Sequence, residues 1–261
     1  MDFAGKTVLI TGASSGIGAA TALAFAEAGA QLTIGGRDAD RTAAVAKQAE
    51  ALGGAVATCI GDVREAEVRD RLIDSTLKRL GRIDVLVNNA GLVYRTGVFD
   101  TTAAQWLDTM LVNVDSVFFL SRAAALSMKD RGDGAIINIV SDLALVAAKG
   151  TPSYCVSKAA VSHMTKAMAL DLADYGIRVN AVAFGEIHTP MLESSIQQRG
   201  MQVADGLARL ARRVPMNRVS TPEEVVGAIL FLASARRAGY VTGTILSVDG
   251  GVNAAGPAGI R

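Results

Sequence analysis

A glycine-rich stretch after the first apolar run constrains the fold more than any other feature. Residues 7–10 read Thr-Val-Leu-Ile, as in a buried strand, and residues 11–18 read Thr-Gly-Ala-Ser-Ser-Gly-Ile-Gly before an alanine-rich helical segment. Gly12 would permit a tight turn, Gly16 a close approach to phosphate, and Gly18 close packing of helix and strand. A helix start also offers free N–H groups to an anion. The context predicts a dinucleotide-binding loop rather than a plain turn, with contacts from Gly12, Ser14, Ser15, Gly16, Ile17 and Gly18.

Apolar runs and helical segments alternate along the rest of the 261 residues. Strands are predicted at 7–10, 31–34, 56–60, 83–87, 135–140, 178–183 and 244–248. Helices are predicted at 19–28, 38–52, 65–80, 103–129, 153–175 and 223–232. This pattern predicts an α/β fold, a Rossmann-like doubly wound parallel sheet of about seven strands with helices on both faces. Because no linker or composition shift appears, we expect residues 1–261 to form a single domain with an irregular insertion at about 185–220 and a loose tail from Asn253.

Composition narrows the classes of partner. Half of the residues are hydrophobic, and the formal net charge is +1 without any basic or acidic block. This balance argues against nucleic acid or a membrane surface as a partner. The two cysteines and two histidines form no ligand cluster, so we expect neither a metal site nor a disulfide. A chain without a signal-peptide pattern or a spanning apolar run is expected to be cytoplasmic.

The choice of cofactor is expected to depend on the end of the second strand, where residues 35–38 read Gly-Gly-Arg-Asp. An acidic residue at the strand end would bind the ribose 2′-hydroxyl of NAD(H), whereas the forked guanidinium of Arg37 suits the 2′-phosphate of NADP(H). Asp38 complicates the choice, because it either caps the next helix or repels that phosphate. NADP(H) is therefore favoured, with NAD(H) as the alternative.

Tyr154 and Lys158 lie four residues apart, just after Pro152. On a helix, this spacing places both side chains on one face, one turn apart. A neighbouring ammonium favours the phenolate and would lower the pKa of Tyr154, which suits proton transfer near neutral pH. The pair by itself is more typical of an exposed helical surface, so its meaning depends on the rest of the chain.

Several motifs in a fixed order give the pair its context. They are the loop at 11–18, Asn88-Asn89-Ala90-Gly91, Asn113, Ser141 and Tyr154-x-x-x-Lys158. In this order they resemble the short-chain dehydrogenase/reductase family, from Lys6 to about Gly251. The resemblance implies that Tyr154 is the acid/base and that Ser141 polarises the substrate oxygen. It further implies that Lys158 binds the nicotinamide ribose, and that Asn113 holds a water beside Lys158 through a local break in its helix.

The resemblance also implies the remaining cofactor contacts. They are Asp62 and Val63 at the adenine, Asn89, Ala90 and Gly91 behind the adenosine ribose, and Ile187 and Thr189 at the nicotinamide carboxamide. Asp62 is alternatively a cap for the following helix. One departure is Phe184-Gly185, where the family usually has Pro-Gly. Gly185 keeps backbone freedom, but Phe184 lacks the fixed φ of proline.

The substrate pocket is expected to follow the fourth, fifth and sixth strands. Its candidate residues are Tyr94, Arg95, Asp142, Leu143, Glu186 and His188. Glu186 and His188 alternate about Ile187, so both are expected at the pocket rim, although a surface position for His188 is the alternative. These polar groups hint at a polyol, sugar or hydroxy acid. The arginines between 191 and 213 are more typical of a solvated face.

The resemblance implies an NAD(P)(H)-dependent oxidoreductase that transfers a hydride between the nicotinamide and a carbonyl or secondary alcohol. An NADPH-linked ketone or 3-oxoacyl reductase is favoured. The alternatives are an NAD-dependent polyol, sugar or hydroxy-acid dehydrogenase and a non-catalytic dinucleotide-binding sensor. The resemblance also implies a homotetramer, in which the long helix and the Tyr154 helix pair across one interface.

Overall fold

A computed structural model describes residues 2–255, and the strands in this range form one sheet. The strands are β1 Thr7–Ile10, β2 Gln31–Gly36, β3 Val56–Ile60, β4 Val85–Asn88, β5 Gly134–Ser141, β6 Ile177–Phe184 and β7 Ile245–Val248. Their order is β3-β2-β1-β4-β5-β6-β7, and every neighbouring pair is parallel. The chain therefore winds outward from β1 in both directions, and the predicted doubly wound α/β fold is confirmed.

Helices connect the strands and cover both faces of the sheet. They are α1 Gly16–Glu27, α2 Ala39–Ala51, α3 Ala66–Leu80, α4 Ala103–Met110, α5 Ser116–Met128, α6 Pro152–Ala173, α7 Pro190–Gln197, α8 Val203–Ala211, α9 Pro222–Ala233 and α10 Ala235–Ala238. Val8 and Ile10 pack in the core beneath α1, α2 and α9, whereas Leu9 packs in the core beneath α3, α5 and α6. This alternation explains why the strands are continuous apolar runs, since both of their faces are buried.

The long helix predicted at 103–129 is interrupted. A π-helical segment, Leu111–Asp115, separates α4 from α5, and a 3₁₀ turn, Lys129–Arg131, follows α5. The stretch Ala103–Arg131 has the length and mean hydropathy of a membrane span, but half of its most apolar window is buried inside the fold. A core helix that packs against a sheet passes the same test. The break falls around Asn113, where the family resemblance implies one.

The insertion at 185–220 is helical rather than irregular. Pro190 occupies the first turn of α7, and the Thr189 side chain accepts a hydrogen bond from the Leu192 N–H, so a proline and a cap start this helix together. Leu192 and Ile196 of α7 pack on Leu210 of α8 as a small separate core. Residues 253–255 continue a turn, and the rest of the predicted tail lies outside the described residues.

Candidate active site

The glycine loop joins β1 to α1 as predicted. Gly12 has φ +65°, and a Cβ there would lie 2.8 Å from the Cα of Ala90. Gly16 has φ +54°, and its Cβ would lie 3.1 Å from Thr189 Cγ2. A Cβ on Gly18 would overlap the Gly12 carbonyl oxygen, so Gly18 serves the close packing of helix and strand. Gly18 does not line the cavity above the loop, and its assignment as a cofactor contact stays a prediction.

A cavity of about 550 Å³ runs from this loop to Tyr154. The predicted cofactor residues that line it are Gly12, Ser14, Ser15, Gly16, Ile17, Arg37, Asp62, Val63, Asn89, Ala90, Gly91, Tyr154, Lys158, Ile187 and Thr189. Ser15 is the N-cap of α1, and its side chain makes no capping bond. The first backbone N–H groups of α1 are therefore free to donate hydrogen bonds to phosphate oxygens. The shape and donors of the cavity fit a dinucleotide, with the pyrophosphate at the loop.

Basic side chains surround the end of β2. Arg37 and Arg41 both line the cavity beside Ser14. Asp38 caps α2, since its carboxylate accepts from the Arg41 N–H at 2.9 Å and from Arg41 Nε at 2.7 Å. The backbone bond to Arg41 is the main reason why the pKa of Asp38 is lowered. Of the two roles considered for Asp38, the structure therefore supports the cap. The Arg37 side chain is 71% exposed and lies 3.7 Å from Asp62 Oδ2, so its charge faces the cavity mouth.

Asp62 lines the cavity after β3 but does not cap α3, whose N-cap is Glu65. Its carboxylate accepts from the Arg64 N–H at 3.0 Å and from Arg64 Nη2 at 2.9 Å. Burial raises the pKa of Asp62, but the hydrogen bonds from Arg64 outweigh it and the net shift is downward. Asp62 is therefore a charged acceptor beside the expected adenine position.

Lys158 and Asn113 meet beneath Gly91. Lys158 is buried in α6, and its Nζ donates to the Ile139 carbonyl at 2.9 Å. Asn113 closes a pair of bonds with Leu92, accepting from its N–H at 2.9 Å and donating to its carbonyl at 3.0 Å. A Cβ placed on Gly91 would lie 3.4 Å from Asn113 Oδ1 and 3.6 Å from Lys158 Nζ. Asn113 is near the ammonium but does not line the cavity, so it supports the site from behind.

Tyr154 is half-buried at the inner end of the cavity. Burial raises its pKa to about 12, whereas Ser141 and Arg95 act to lower it. Burial also lowers the pKa of Lys158 to about 8, and Lys158 Nζ lies 5.6 Å from the Tyr154 ring centroid. The shift of the Tyr154 pKa is thus upward, opposite to the predicted lowering, because desolvation outweighs the Ser141 hydrogen bond and the Arg95 charge. At neutral pH, Tyr154 is a protonated phenol, ready to act as an acid.

Ser141 ends β5 and lines the same cavity. Its hydroxyl donates to Asp142 Oδ1 at 2.7 Å and accepts from the Leu143 N–H at 3.2 Å. Ser141 therefore also caps the 3₁₀ turn that follows β5. Burial raises the pKa of Asp142, while the bond from Ser141 acts against that rise. The Ser141 hydroxyl must break its hydrogen bond to Asp142 before it can donate to a substrate oxygen.

The six predicted pocket residues divide into two groups. Arg95, Asp142, Leu143 and Glu186 line the cavity, whereas Tyr94 and His188 do not. The Tyr94 hydroxyl donates to Asp108 Oδ2 at 2.7 Å. His188 Nε2 lies 2.7 Å from Glu193 Oε1, with a side chain 46% exposed. Each of these two side chains has a partner on a neighbouring helix, and their pocket assignments stay predictions.

Comparisons with known proteins match this geometry. A family model described as Enoyl-(Acyl carrier protein) reductase matches residues 12–253. A short-chain type dehydrogenase/reductase from Mycobacterium marinum has a crystal structure that superposes with a TM-score of 0.90 at 38% identity, covering 97% of this chain and 98% of that one. The chain belongs to the short-chain dehydrogenase/reductase family. It is an NAD(P)-dependent oxidoreductase that acts on C–OH and C=O groups.

Two relatives are informative about the range of this dehydrogenase/reductase family. The 3-oxoacyl-[acyl-carrier-protein] reductase FabG of Thermotoga maritima is 37% identical over 97% of this chain and 99% of its own length. A crystal structure from Beutenbergia cavernae, assigned to an NAD(P)-dependent gluconate 5-dehydrogenase with bound NADP at low occupancy, has a TM-score of 0.89 at 35% identity. It covers 97% of this chain and 98% of its own.

The structure adds cavity residues that sequence reasoning missed. Arg199 and Arg213, expected on a solvated face, line the cavity together with Ser195, Gln198 and Val252. The helical period of α7 could have predicted Ser195 and Gln198, which lie three residues apart. No sequence signal near the glycine loop predicts Val252. Within residues 2–255, no group of three or more His, Cys, Asp or Glu side chains could hold a metal ion.

Phe184 and Gly185, which stand where the family usually has Pro-Gly, fit the fold by packing. Phe184 ends β6 and is buried in the core, so it packs where the usual proline would stand. Gly185 does not use a positive φ, contrary to the expected need for backbone freedom. A Cβ on Gly185 would instead lie 2.8 Å from the Cα of Asp249. Glycine is required at this position by the close approach of the segment after β7.

Proposed function

We propose that this enzyme reduces a ketone or 3-oxoacyl carbonyl with NADPH, using Tyr154 as the proton donor. The observation that carries the proposal is the meeting of Ser141, Tyr154 and Lys158 at the inner end of the cavity that begins at the glycine loop. A phenol whose pKa is about 12 is protonated at neutral pH, as carbonyl reduction requires. The nicotinamide, when bound, supplies the hydride. The FabG relative is named for this type of reaction.

Replacement of Tyr154 by Phe tests the proton role. We expect kcat to fall about 10²–10⁴-fold, because general acid catalysis contributes about that much, while the Kd for NADPH changes little. Tyr175→Phe, the same change in the exposed turn after α6, is the matched control and should be silent. A panel of ketones, acyl thioesters, sugars and polyols supplies the substrate. Full turnover by Tyr154→Phe on a good substrate would contradict the assignment.

Cofactor preference follows from the end of β2. Arg37, Arg41 and Ser14 line the cavity where a 2′-phosphate would lie, and Asp38 is committed to its cap. We expect Arg37→Ala to raise KM for NADPH about 10-fold or more and to leave KM for NADH within about twofold, since only the former carries the phosphate. Arg79→Ala, an exposed arginine of α3, is the control. Equal losses with both cofactors would refute the preference.

A second candidate is the oxidation of a polyol, sugar or hydroxy acid with NAD(P)⁺. The Beutenbergia cavernae structure, assigned to a gluconate 5-dehydrogenase, supports it, as do the acidic and basic side chains of the cavity. Running the substrate panel with NADPH, NADH and their oxidised forms distinguishes carbonyl reduction from alcohol oxidation. A non-catalytic sensor would bind cofactor and turn over no member of the panel.

The proposed assembly is a homotetramer acting in the cytoplasm on a small molecule, without nucleic acid or membrane partners. Exposed apolar side chains on the helices α4 to α6 support an interface between copies. They are Leu107 and Leu111, Phe118 and Phe119, Leu126, Val156 and Leu170. Such a row on packed helices is typical of a surface that another subunit covers. The outer strand β7 is the other expected contact.

A further inference from the structure

Arg95 lines the cavity together with Tyr154. It follows β4, is half-buried, and donates from Nε to Ser195 Oγ at 2.5 Å. Its backbone N–H donates to Gln198 Oε1 at 3.2 Å. Ser195 is itself buried in α7. The first bond holds the Arg95 head group against α7 and the second holds its backbone, and Ser195 and Gln198 line the same cavity.

The outer edge of the Arg95 guanidinium has no protein partner within residues 2–255. Neither Nη atom makes a hydrogen bond there, and no carboxylate lies within 4.0 Å of the group. Glu186 and Asp142 line the same cavity, but burial raises the pKa of each, so both hold a negative charge less readily. Arg199 and Arg213 at the cavity rim likewise form no ion pair in this range. Positive charge therefore exceeds negative charge in this part of the cavity.

A half-buried guanidinium with no carboxylate in direct contact is costly, and a bound anion would reduce that cost beyond what the more distant Glu186 provides. Desolvation by burial lowers the pKa of Arg95, which reflects the same penalty. The planar fork of arginine matches the two oxygens of a carboxylate. Arg95 is also close enough to act on the pKa of Tyr154. An anion bound to it would lie next to the reacting carbon of a small molecule.

We propose that the substrate is an oxo or hydroxy carboxylic acid whose carboxylate binds the Nη atoms of Arg95. The inference rests on the proposed oxidoreductase site and names the substrate class for it. Arg95 is then the residue that selects acids over neutral carbonyl compounds. Arg199 and Arg213 attract the anion to the cavity rim, because charges of one sign in a cleft raise the local concentration of the opposite sign.

The test compares acids with neutral analogues of the same length. The pairs are 3-oxobutanoate and 5-oxohexanoate, each against its methyl ester, and gluconate against glucitol in the oxidation direction. The wild-type enzyme should prefer the acids in kcat/KM. Arg95→Met should lower kcat/KM for the acids about 10–100-fold more than for their neutral partners, mainly through KM, because a charged hydrogen bond is lost. Arg95→Lys should recover part of the loss, and Arg79→Met should be silent.

A binding measurement separates this inference from the proposed function. The same carboxylates are titrated calorimetrically into the enzyme saturated with oxidised or reduced cofactor, whichever does not react. Binding that weakens about 10-fold or more in Arg95→Met supports the carboxylate site even if no compound is turned over. An unchanged ratio of acid to ester in Arg95→Met, or no binding of any carboxylate, overturns the inference. Turnover of the neutral compounds would then leave the oxidoreductase assignment intact.

Discussion

The burial of Lys158 at the active site lowers the stability of the folded protein. Its ammonium is buried, and its pKa falls from 10.5 to about 8 because burial disfavours the charged form. The unfolded chain therefore holds more protons than the native protein between about pH 8 and 10.5, so stability rises with pH across this window. Below pH 8 the full penalty of burying the charge is present.

Replacement of Lys158 by Met should stabilise the protein and abolish turnover. At pH 7 and without added cofactor, we expect an increase of about 1–3 kcal/mol in the free energy of unfolding, since the lost bond to Ile139 offsets part of the relieved penalty. The gain should shrink as the pH rises toward 10.5. Denaturant titrations at several pH values measure it. Lys166→Met, on the exposed side of the same helix, should show no such trend, and a destabilised Lys158→Met would contradict the account.

At the scale of single residues, glycine positions and local caps were predictable, whereas long-range partners were not. Gly12 has a positive φ in the turn after β1, and Asp38 caps the helix that follows it, so the local sequence is informative at both positions. Tyr94 pairs with Asp108 of α4, which the loop after β4 brings near, whereas His188 pairs with Glu193 in the first turn of α7, a local partner that was overlooked because this helix was not located. The pKa of Tyr154 depends on burial, which no spacing rule reports.

The π-helical segment between α4 and α5 is the element on which the inner site depends. It turns Asn113 toward Leu92, where the amide makes both of its backbone bonds and a third bond from Nδ2 to Ser157 Oγ at 3.0 Å. π-helical turns frequently occur at functional sites. Here the turn ties the loop after β4, which carries Arg95, to the helix that carries Lys158.

Asn113→Ala should loosen this loop. Loss of three buried hydrogen bonds is expected to cost about 2–4 kcal/mol of stability, because buried Leu92 and Ser157 groups are left unpaired. The Leu92 amide should exchange with deuterium faster, while the Leu86 amide in β4 keeps its protection and serves as the internal reference. Asn113→Asp keeps the acceptor for Leu92 and should restore part of the protection. Unchanged exchange at Leu92 in Asn113→Ala would contradict this role.

The strands and the long helices were more predictable from the sequence than the breaks and insertions within them. Apolar runs and caps located all seven strands to within a few residues, since burial on both faces leaves a continuous signal. The insertion was expected to be irregular, and the bounds of α7 and α8 were not located, because short helices with a small core of their own lack a long period. The position of the π-helical segment was implied by the family resemblance, not by the helical pattern of residues 103–129.

At the scale of the whole molecule, the open question is how many copies work together. We expect the wild-type protein to sediment as a tetramer at micromolar concentration. Leu126→Glu should shift it to smaller species, because a charge on an apolar interface is costly to bury. Leu52→Glu is the matched control, since its side chain is equally exposed at the end of α2, 48% against 51%. A wild-type monomer, or equal effects of both changes, would contradict the proposed interface.

The packing at the end of β2 also restricts which substitutions this sequence can accept during evolution. A side chain on Gly36 would overlap Thr42 Oγ1, which is buried and donates to the Asp38 carbonyl at 2.6 Å. A side chain at Gly36 therefore requires Thr42 to move or to be shortened. The two positions are coupled, so an acid at Gly36 is more easily acquired after a smaller residue has replaced Thr42. The reverse order passes through a sequence in which the two side chains overlap, and this would slow the appearance of an acid at the end of β2.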